Sequence, residues 1–323
     1  MSRLSDAAME RLRQAAEAPD LSATRYRLIE RIGRGGMGVV FLAEDQTLGR
    51  RVALKVLDLP DESGDLAARL VREARILAQL EHPGIVPVHD AGALPDRRVF
   101  YAMKFVEGRS LSKHAETLES VTDRLRIFQK ICDAVALAHS RGVLHRDLKP
   151  ENVMIGPFGE VLVMDWGVAK VMREASSGAE AAPTAVASAA AEPGTRDGSV
   201  VGTSGYMSPE QARGESAGLD ERTDVYSLGM ILRFLLGGEA RRMPAALAAA
   251  CAKATSADRR DRYACVADLA ADVARFLDGL PLEAYPDTVV RRAGRFLRRH
   301  QVVVWLVVAY LFTRIVLILF SRP

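Results

Sequence analysis

The sequence predicts an α+β fold in two lobes, a small sheet-rich lobe followed by a larger helical one. Three observations carry this. Three β-patterned runs follow one another over residues 26–57, one amphipathic helix comes next, and helical periodicity dominates from Leu111 onward. A chain of 323 residues suits one large domain with two lobes, or two modest domains. Charged residues at 26% and apolar residues at 49% are ordinary for a globular protein, which argues against wholesale disorder. The formal net charge of +3 is too small to imply nucleic-acid binding. Cys132, Cys251 and Cys265 form no paired spacing and no metal motif, so they read as small residues in a reducing compartment.

Each element follows in order. Residues 1–25 form a charged extension without the apolar stretch of a signal peptide. "YRLIERIG" alternates, "VVFLAED" is β-branched and aromatic, "RVALKVL" alternates again, and "QTLGR" supplies the turn before the third run. Residues 65–80 place Leu66, Leu70, Leu77 and Leu80 on one helical face. Two more short strands are expected at Val86–Val88 and Val99–Val106, and "EGRS" then breaks the chain. The first lobe is thus expected over about 26–107 and the second over about 108–279, with a helix near Thr122–Arg141. Residues 173–199 are small, polar and weakly patterned, a long loop or insertion. Residues 280–301 are basic, and 302–320 are almost continuously apolar.

The chemistry concentrates in a few places. "GVLHRDLKPENVMI", residues 142–155, crowds His145, Arg146, Asp147, Lys149 and Asn152 between apolar flanks, a costly arrangement unless partners or function justify it. "GRGGMGVV" spaces Gly33, Gly35 and Gly38 so that backbone N–H groups can approach a phosphate. A strand rather than a helix follows, which disfavours a dinucleotide fold. Lys55 lies within an apolar strand 17 residues after Gly38. Glu73 shares the inward face of Leu70 and Leu77, and a carboxylate there needs a cation; Lys55 is the candidate nearest in chain order.

"GxGxxGxV", "VALK", "HRDLKPEN", "DWG" and "SPE" stand in the order of the protein-kinase signatures. Over roughly residues 26–279 the chain resembles a Hanks-type bacterial serine/threonine kinase, and the resemblance implies the bilobal protein-kinase fold. By position, it implies that Gly33, Gly35 and Gly38, with Ile32, cover the nucleotide. Val40 and Ala53 would pack on adenine, with Met103 as gatekeeper before a hinge at Lys104–Val106. Lys55, held by Glu73, would contact the α- and β-phosphates. Asp147 would be the catalytic base, Lys149 would neutralise γ-phosphate charge, and Asn152 and Asp165 would hold Mg²⁺. ATP and Mg²⁺ are the implied cofactors. Protein Ser/Thr hydroxyls are the implied acceptors, with a homodimer for trans-autophosphorylation and no nucleic acid among the partners. Thr203 resembles the threonine that marks Ser/Thr preference. Glu210 would pair with Arg262, and Asp224 would anchor the catalytic-loop backbone. Arg146 would bind a phosphate on the 173–199 loop, with Thr195 and Ser199 as the nearest acceptors.

Three features depart from that pattern. Trp166 replaces the usual Phe after the metal-binding Asp, with room expected near Leu77 and His145. Ser208 replaces Ala before Pro209. After Gly229 the chain is short, leaving little space for the element that often docks substrates. The apolar run 302–320 nearly crosses a hydrocarbon core of about 30 Å. Arg291, Arg292, Arg295, Arg298 and Arg299 flank it, so a C-terminal transmembrane helix is expected to anchor the chain in lipid with the catalytic lobes cytoplasmic. Arg314 is the difficulty, eased by its reach toward the outer interface. The reading is a single-pass, membrane-anchored protein kinase. Its rival is a catalytically weak kinase-like scaffold; a small-molecule kinase is more distant, because "GTSGYMSPE" reads as a peptide-substrate loop.

Overall fold

Alternation along the third β run settles the first lobe. In β3 (Arg50–Pro60), Val52, Leu54 and Val56 face one side, while Ala53, Lys55 and Leu57 face the other. Both sides are covered, so the strand is interior. The computed structural model describes residues 18–35, 38–60, 65–166, 203–215, 219–238, 243–286, 305–306 and 309–314. Its first sheet is antiparallel and runs β1 (Tyr26–Gly35), β2 (Gly38–Asp45), β3, β5 (Arg98–Lys104), β4 (Val88–Ala93). The β2–β3 turn closes on Asp45, whose carboxylate accepts the Thr47 and Leu48 amides at 3.2 Å each, with Gly49 at φ 60°. Helix α1 (Asp65–Ala78) packs on β4 and β5 and buries Leu77; the side chains of Leu66 and Leu70 lie outside the described residues.

The fourth strand does not begin at Val86. Pro87 has no amide for a ladder, and the residues before it turn toward the second lobe. The Val86 amide donates to Val163 O at 3.2 Å, the Val163 amide donates to Gly84 O at 2.8 Å, and Ile85 bridges Val163. The mostly helical region after Leu111 also carries short strands. A three-stranded sheet of β6 (Arg109–Ser110), β7 (Val153–Ile155) and β8 (Val161–Val163) lies at the lobe junction. Strands of two or three residues are too short to show a period of two.

The second lobe is otherwise helical: α2 (Leu111–His114), α3 (Val121–Ser140), α4 (Pro209–Ala212), α5 (Glu221–Leu235), α6 (Ala245–Ala254) and α7 (Val266–Leu277). Leu125, Phe128, Ile131, Cys132, Val135 and Ala138 make the buried stripe of α3 at three- and four-residue spacing. Helix α5 is buried on most sides, through Val225, Leu228, Ile231, Leu232 and Leu235. One core joins α3, α5, α6 and α7 with Leu77, Leu148 and Trp166. Beyond α7 the chain stays tied to this lobe. Asp272 accepts the Glu283 amide at 2.7 Å and the Ala284 amide at 2.9 Å, and Leu282 is buried.

Among the described residues no helix is long and apolar enough to cross a membrane. Most of the apolar run 302–320 lies outside them; Trp305–Leu306 and 309–314 are described, and they are helical and exposed. The loop 173–199 also lies outside the described residues, as does the extension before residue 18.

Candidate active site

The polar loop between α3 and β7 is held from below by one buried carboxylate. Asp224, in the first turn of α5, accepts the His145 amide at 2.7 Å and the Arg146 amide at 2.8 Å. His139 Nε2–H, from the last turn of α3, donates to the same carboxylate at 2.8 Å. Burial opposes the charge on Asp224. The His139 hydrogen bond, the fields of His139 and His145 and the Arg146 amide outweigh it, so the pKa lies below the ordinary carboxylate value. This grip fixes Arg146 at φ 66°, a left-handed conformation that a non-glycine residue adopts only when its surroundings impose it.

The loop then turns Asp147, Lys149 and Asn152 toward one another. Lys149 Nζ lies 3.0 Å from Asp147 Oδ2. Asn152 Nδ2 donates to that same oxygen at 3.0 Å and to the Asp147 carbonyl at 2.8 Å. The Asn152 carbonyl accepts the Met164 amide at 2.8 Å, and Val153 pairs with Val163 across β7 and β8. That register sets Asn152 opposite Met164, one residue from Asp165. His145 sits beneath both segments. Its Nε2–H donates to Met164 O at 2.8 Å, so Nδ1 is free to accept the Asp147 amide at 3.3 Å. Burial pushes the His145 pKa down, consistent with this neutral tautomer.

Lys55 reaches the site from the opposite lobe. Its Nζ lies 2.9 Å from Asp165 Oδ1. The expected Lys55–Glu73 pair falls outside the described residues: Glu73 belongs to α1, and its side chain is not described. Tyr101 Oη–H donates to the same Asp165 oxygen at 3.1 Å, and the Lys55 ammonium sits 5.7 Å from the Tyr101 ring centroid. Burial raises the Asp165 pKa, but the Lys55 charge and the two hydrogen bonds win and hold it below the ordinary value. Asp165 adopts φ 58°, a second strained position. Trp166 after it is buried, donates from its indole N–H to Val163 O at 3.0 Å, and stacks obliquely on His145 at 4.7 Å between centroids. A larger ring than Phe is therefore accommodated with its one polar atom satisfied.

Above these charges lies an apolar cluster. Ladder register sets Val40 beside Lys55, Lys55 beside Tyr101, and Ala53 beside Met103. Val40, Ala53 and Met103 share one cluster with Leu57, Leu162, Met154 and Met164. Ile32 falls in a bulge of β1 and is 42% exposed at the rim. The glycines differ from one another. A Cβ on Gly38, at φ 153°, would meet Val56 O at 2.2 Å, so the strand pairing itself requires glycine there. Among the described residues a Cβ on Gly33 would meet nothing closer than Val40 Cβ at 3.8 Å, so packing there does not require glycine, whereas close approach of a phosphate would. Residues 36–37 lie outside the described residues, and the side position of Gly35 is not described.

A second set of contacts ties the peptide-side loop to the catalytic loop. Ser208 and Gln211 form a capping box at the start of α4. Gln211 Nε2–H then donates to Arg146 O at 2.8 Å. Arg262 holds Glu210 through two bonds of 2.7 and 2.8 Å, both side chains buried. Ser227 Oγ–H donates to Tyr206 O at 2.8 Å. The backbone of Thr203 opens a 3-10 turn to Tyr206; its side chain is not described.

Tyr101, Met154 and Met164 were absent from the residues singled out by sequence. Tyr101 carries no signal of its own, since a tyrosine in an alternating strand reads as core. Only its register with Lys55 distinguishes it. Among the described residues no cluster of three His, Cys, Asp or Glu is built to hold a metal alone. Asn152 and Asp165 suit Mg²⁺ instead, which takes one or two carboxylates and completes its shell with phosphates and water.

Comparison with known proteins agrees with this arrangement. Residues 26–256 match the family model described as "Protein kinase domain". The serine/threonine-protein kinase PknD of Protochlamydia amoebophila is 37% identical over 298 residues, which cover 79% of this chain and 30% of that protein. PknD of Chlamydia muridarum is 43% identical over 232 residues, covering 66% of this chain and 24% of that one. The chain thus spans about a third or less of the length of the curated relatives it matches. A crystal structure of the Mycobacterium tuberculosis PknI kinase domain superposes with a TM-score of 0.58 at 23% identity, covering 80% of this chain and 97% of that one, and shares the fold. With the signature motifs in order, the two-lobed architecture and a family match over most of its length, the chain belongs to the protein kinase domain family, of the Hanks type found in bacterial serine/threonine kinases.

Proposed function

We propose that this chain is an ATP-dependent serine/threonine protein kinase attached to a membrane through residues 302–320, with its catalytic unit in the cytoplasm. The observation that carries the catalytic part is the meeting of Lys55 and Asp165 at 2.9 Å across the lobes, above a loop that gathers Asp147, Lys149 and Asn152. Such a concentration of charge suits a phosphoryl group and little else. Bound Mg²⁺ would supply neutralisation of the phosphate oxygens. Asn152 and Asp165 would hold it, and Lys55 would exchange its carboxylate partner for phosphate oxygens. Asp147 accepts the proton of the acceptor hydroxyl, with Lys149 Nζ 3.0 Å from its carboxylate and placed to neutralise γ-phosphate charge. Val40, Ala53, Met103 and Met154 supply an apolar slot for a flat base. The core reaches Leu282, so we take the catalytic unit to extend past the family match at 256.

The acceptors we propose are protein Ser and Thr hydroxyls, including those of a second copy of the chain at Thr195 or Ser199. The test is transfer of labelled phosphate from ATP to a generic basic protein in the presence of Mg²⁺. Asp147→Asn serves as the control. Activity of the parent that is lost in the variant supports the enzyme; inactivity of both favours the scaffold, for which the short stretch 236–244 between α5 and α6 and the long loop 173–199 argue. Membrane attachment draws on the exposed Trp305, Leu306, Tyr310, Leu311 and Phe312 and on the five arginines that precede the run. Pelleted chain should resist a high-salt wash and leave only with detergent. Release by salt alone would refute the span.

A further inference from the structure

We propose that Tyr101 is a positioning residue for metal binding, clamping one oxygen of Asp165 so that the other faces the metal; the proposal rests on the kinase reading above. Asp165 Oδ1 takes both available donors, Lys55 Nζ at 2.9 Å and Tyr101 Oη–H at 3.1 Å. Among the described residues Oδ2 accepts no hydrogen bond. A carboxylate that binds a cation through one oxygen gains from having the other oxygen pinned, because its orientation is then fixed before the ion arrives. The two donors are not equivalent. Lys55 is the group that must turn to phosphate when nucleotide binds, and its departure leaves Tyr101 as the remaining described clamp.

The tyrosine is built for this duty. It is 3% exposed, its ring is fixed between Val99 and Met103 on β5, and its β3 partner in the ladder is Lys55 itself. Its phenol O–H donates to the Asp165 oxygen that Lys55 also holds. Asp165 also needs the help. It sits at φ 58°, where a flexible carboxylate would gain freedom by relaxing. Tyr101 is thus distinct from the phosphate-binding lysine and from the metal-holding pair: it touches neither nucleotide nor metal and acts only through Asp165.

The chain carries its own reporter. Trp166 adjoins Asp165, and the only other tryptophan is Trp305 in the apolar C-terminal run. The experiment uses the full-length chain in detergent with Trp305→Phe as the parent background. Trp166 fluorescence is titrated with Mg²⁺ at fixed ADP, and nucleotide binding without Mg²⁺ is measured alongside. Tyr101→Phe removes one hydroxyl and keeps the ring. It should raise the Mg²⁺ midpoint about tenfold, the loss expected for one hydrogen bond to a charged group, while metal-free nucleotide affinity and thermal midpoint stay put. Tyr26→Phe removes a hydroxyl from the same sheet, where it bonds Asp90 at 2.9 Å, and should leave the Mg²⁺ midpoint unchanged. A responding parent whose Tyr101→Phe midpoint moves less than twofold overturns the clamp and leaves the kinase reading standing. An equal shift in Tyr26→Phe also overturns it, because the effect would then belong to the sheet. A parent with no Mg²⁺-dependent response overturns the kinase reading, and the clamp with it.

Discussion

Replacing Arg262 with methionine should leave the lobe folded but much weaker, and the structure says by how much. The guanidinium bonds both oxygens of Glu210, at 2.7 and 2.8 Å, and also donates to the carbonyls of Arg222, Ser256 and Ala257. Both charged side chains are buried, at 0% and 5% side-chain exposure. Burial alone would raise the Glu210 pKa, yet the Arg262 bonds and charge carry it from 4.5 down to about 2. A fall of that size corresponds to ~3 kcal/mol favouring the ionised folded state. The sign is that of a depressed carboxylate. The contribution is full above pH about 4.5 and is lost as the pH falls from there toward 2. Arg262→Met removes the cation but leaves the anion buried, so the loss should be about 3–5 kcal/mol at pH 7. Glu210→Gln should cost less, because an amide still accepts from the guanidinium. In the double variant no charge remains unpaired, and part of the Arg262→Met loss should return.

The assay is urea unfolding of the full chain in detergent, followed by far-ultraviolet circular dichroism at several pH values. The difference in stability between parent and Glu210→Gln isolates this one carboxyl. It should be constant near neutrality and shrink below pH about 4.5. A difference that stays flat between pH 5 and 3, or an Arg262→Met variant within about 1 kcal/mol of the parent, would refute the reasoning.

Further outcomes follow from the same geometry. Lys55→Met and Asp165→Asn should each lower phosphoryl transfer by at least about 10²-fold with little change in thermal midpoint, since their pair is partly open to solvent and acts on nucleotide charge; near-parent turnover in either would sink the assignment. Asp224→Asn removes a charge that fixes two amides of the catalytic loop, so kcat should fall more than KM rises, and hydrogen exchange at His145 and Arg146 should quicken. Unaltered exchange there would show that the carboxylate does not hold the loop. Gly229→Val should destabilise the second lobe by about 2–3 kcal/mol, because even a Cβ would lie 2.6 Å from Ala254 Cβ; a melting point equal to that of the parent would contradict the packing.

Much of this was legible before any coordinates, because the catalytic groups belong to motifs with fixed spacing. Asp147, Lys149 and Asn152 fall within six residues, so one loop brings them together whatever the rest of the chain does. Asp224 and Glu210–Arg262 were legible for the same reason. What escaped depends on register between distant segments. Tyr101 becomes interesting only because β3 and β5 align it with Lys55, and no single-strand pattern reports that. Met154 and Met164 look like ordinary apolar flanks until β7 and β8 pair beneath the apolar cluster. The strand expected at Val86 failed because the alternation there was real but its partner was not the neighbouring strand; the Val86 amide was claimed by Val163.

The shortened stretch after Gly229 bears on how the two readings of the protein divide. Helix α5 ends on a pair of glycines, Gly237 at φ 86° and Gly238 at φ 74°, with the Gly238 amide donating to Arg233 O and the Gly237 amide to Phe234 O, each at 3.0 Å. The chain then enters α6 through Pro244, and α6 lies directly against α5 where Gly229 has no side chain. Leu232, Leu247, Cys251 and Ala254 join one core that continues to Leu148 beneath the catalytic loop. Among the described residues the core of the lobe is continuous across α5 and α6. Asp224 lies one turn before Gly229 on the same helix, and its hold on His145 and Arg146 does not pass through residues 236–244. We expect any deficit from the short connection to fall on recognition of a protein acceptor. It would appear as weak or narrow substrate recognition, with nucleotide binding and transfer to a tethered hydroxyl, such as one on the chain's own loop, left intact.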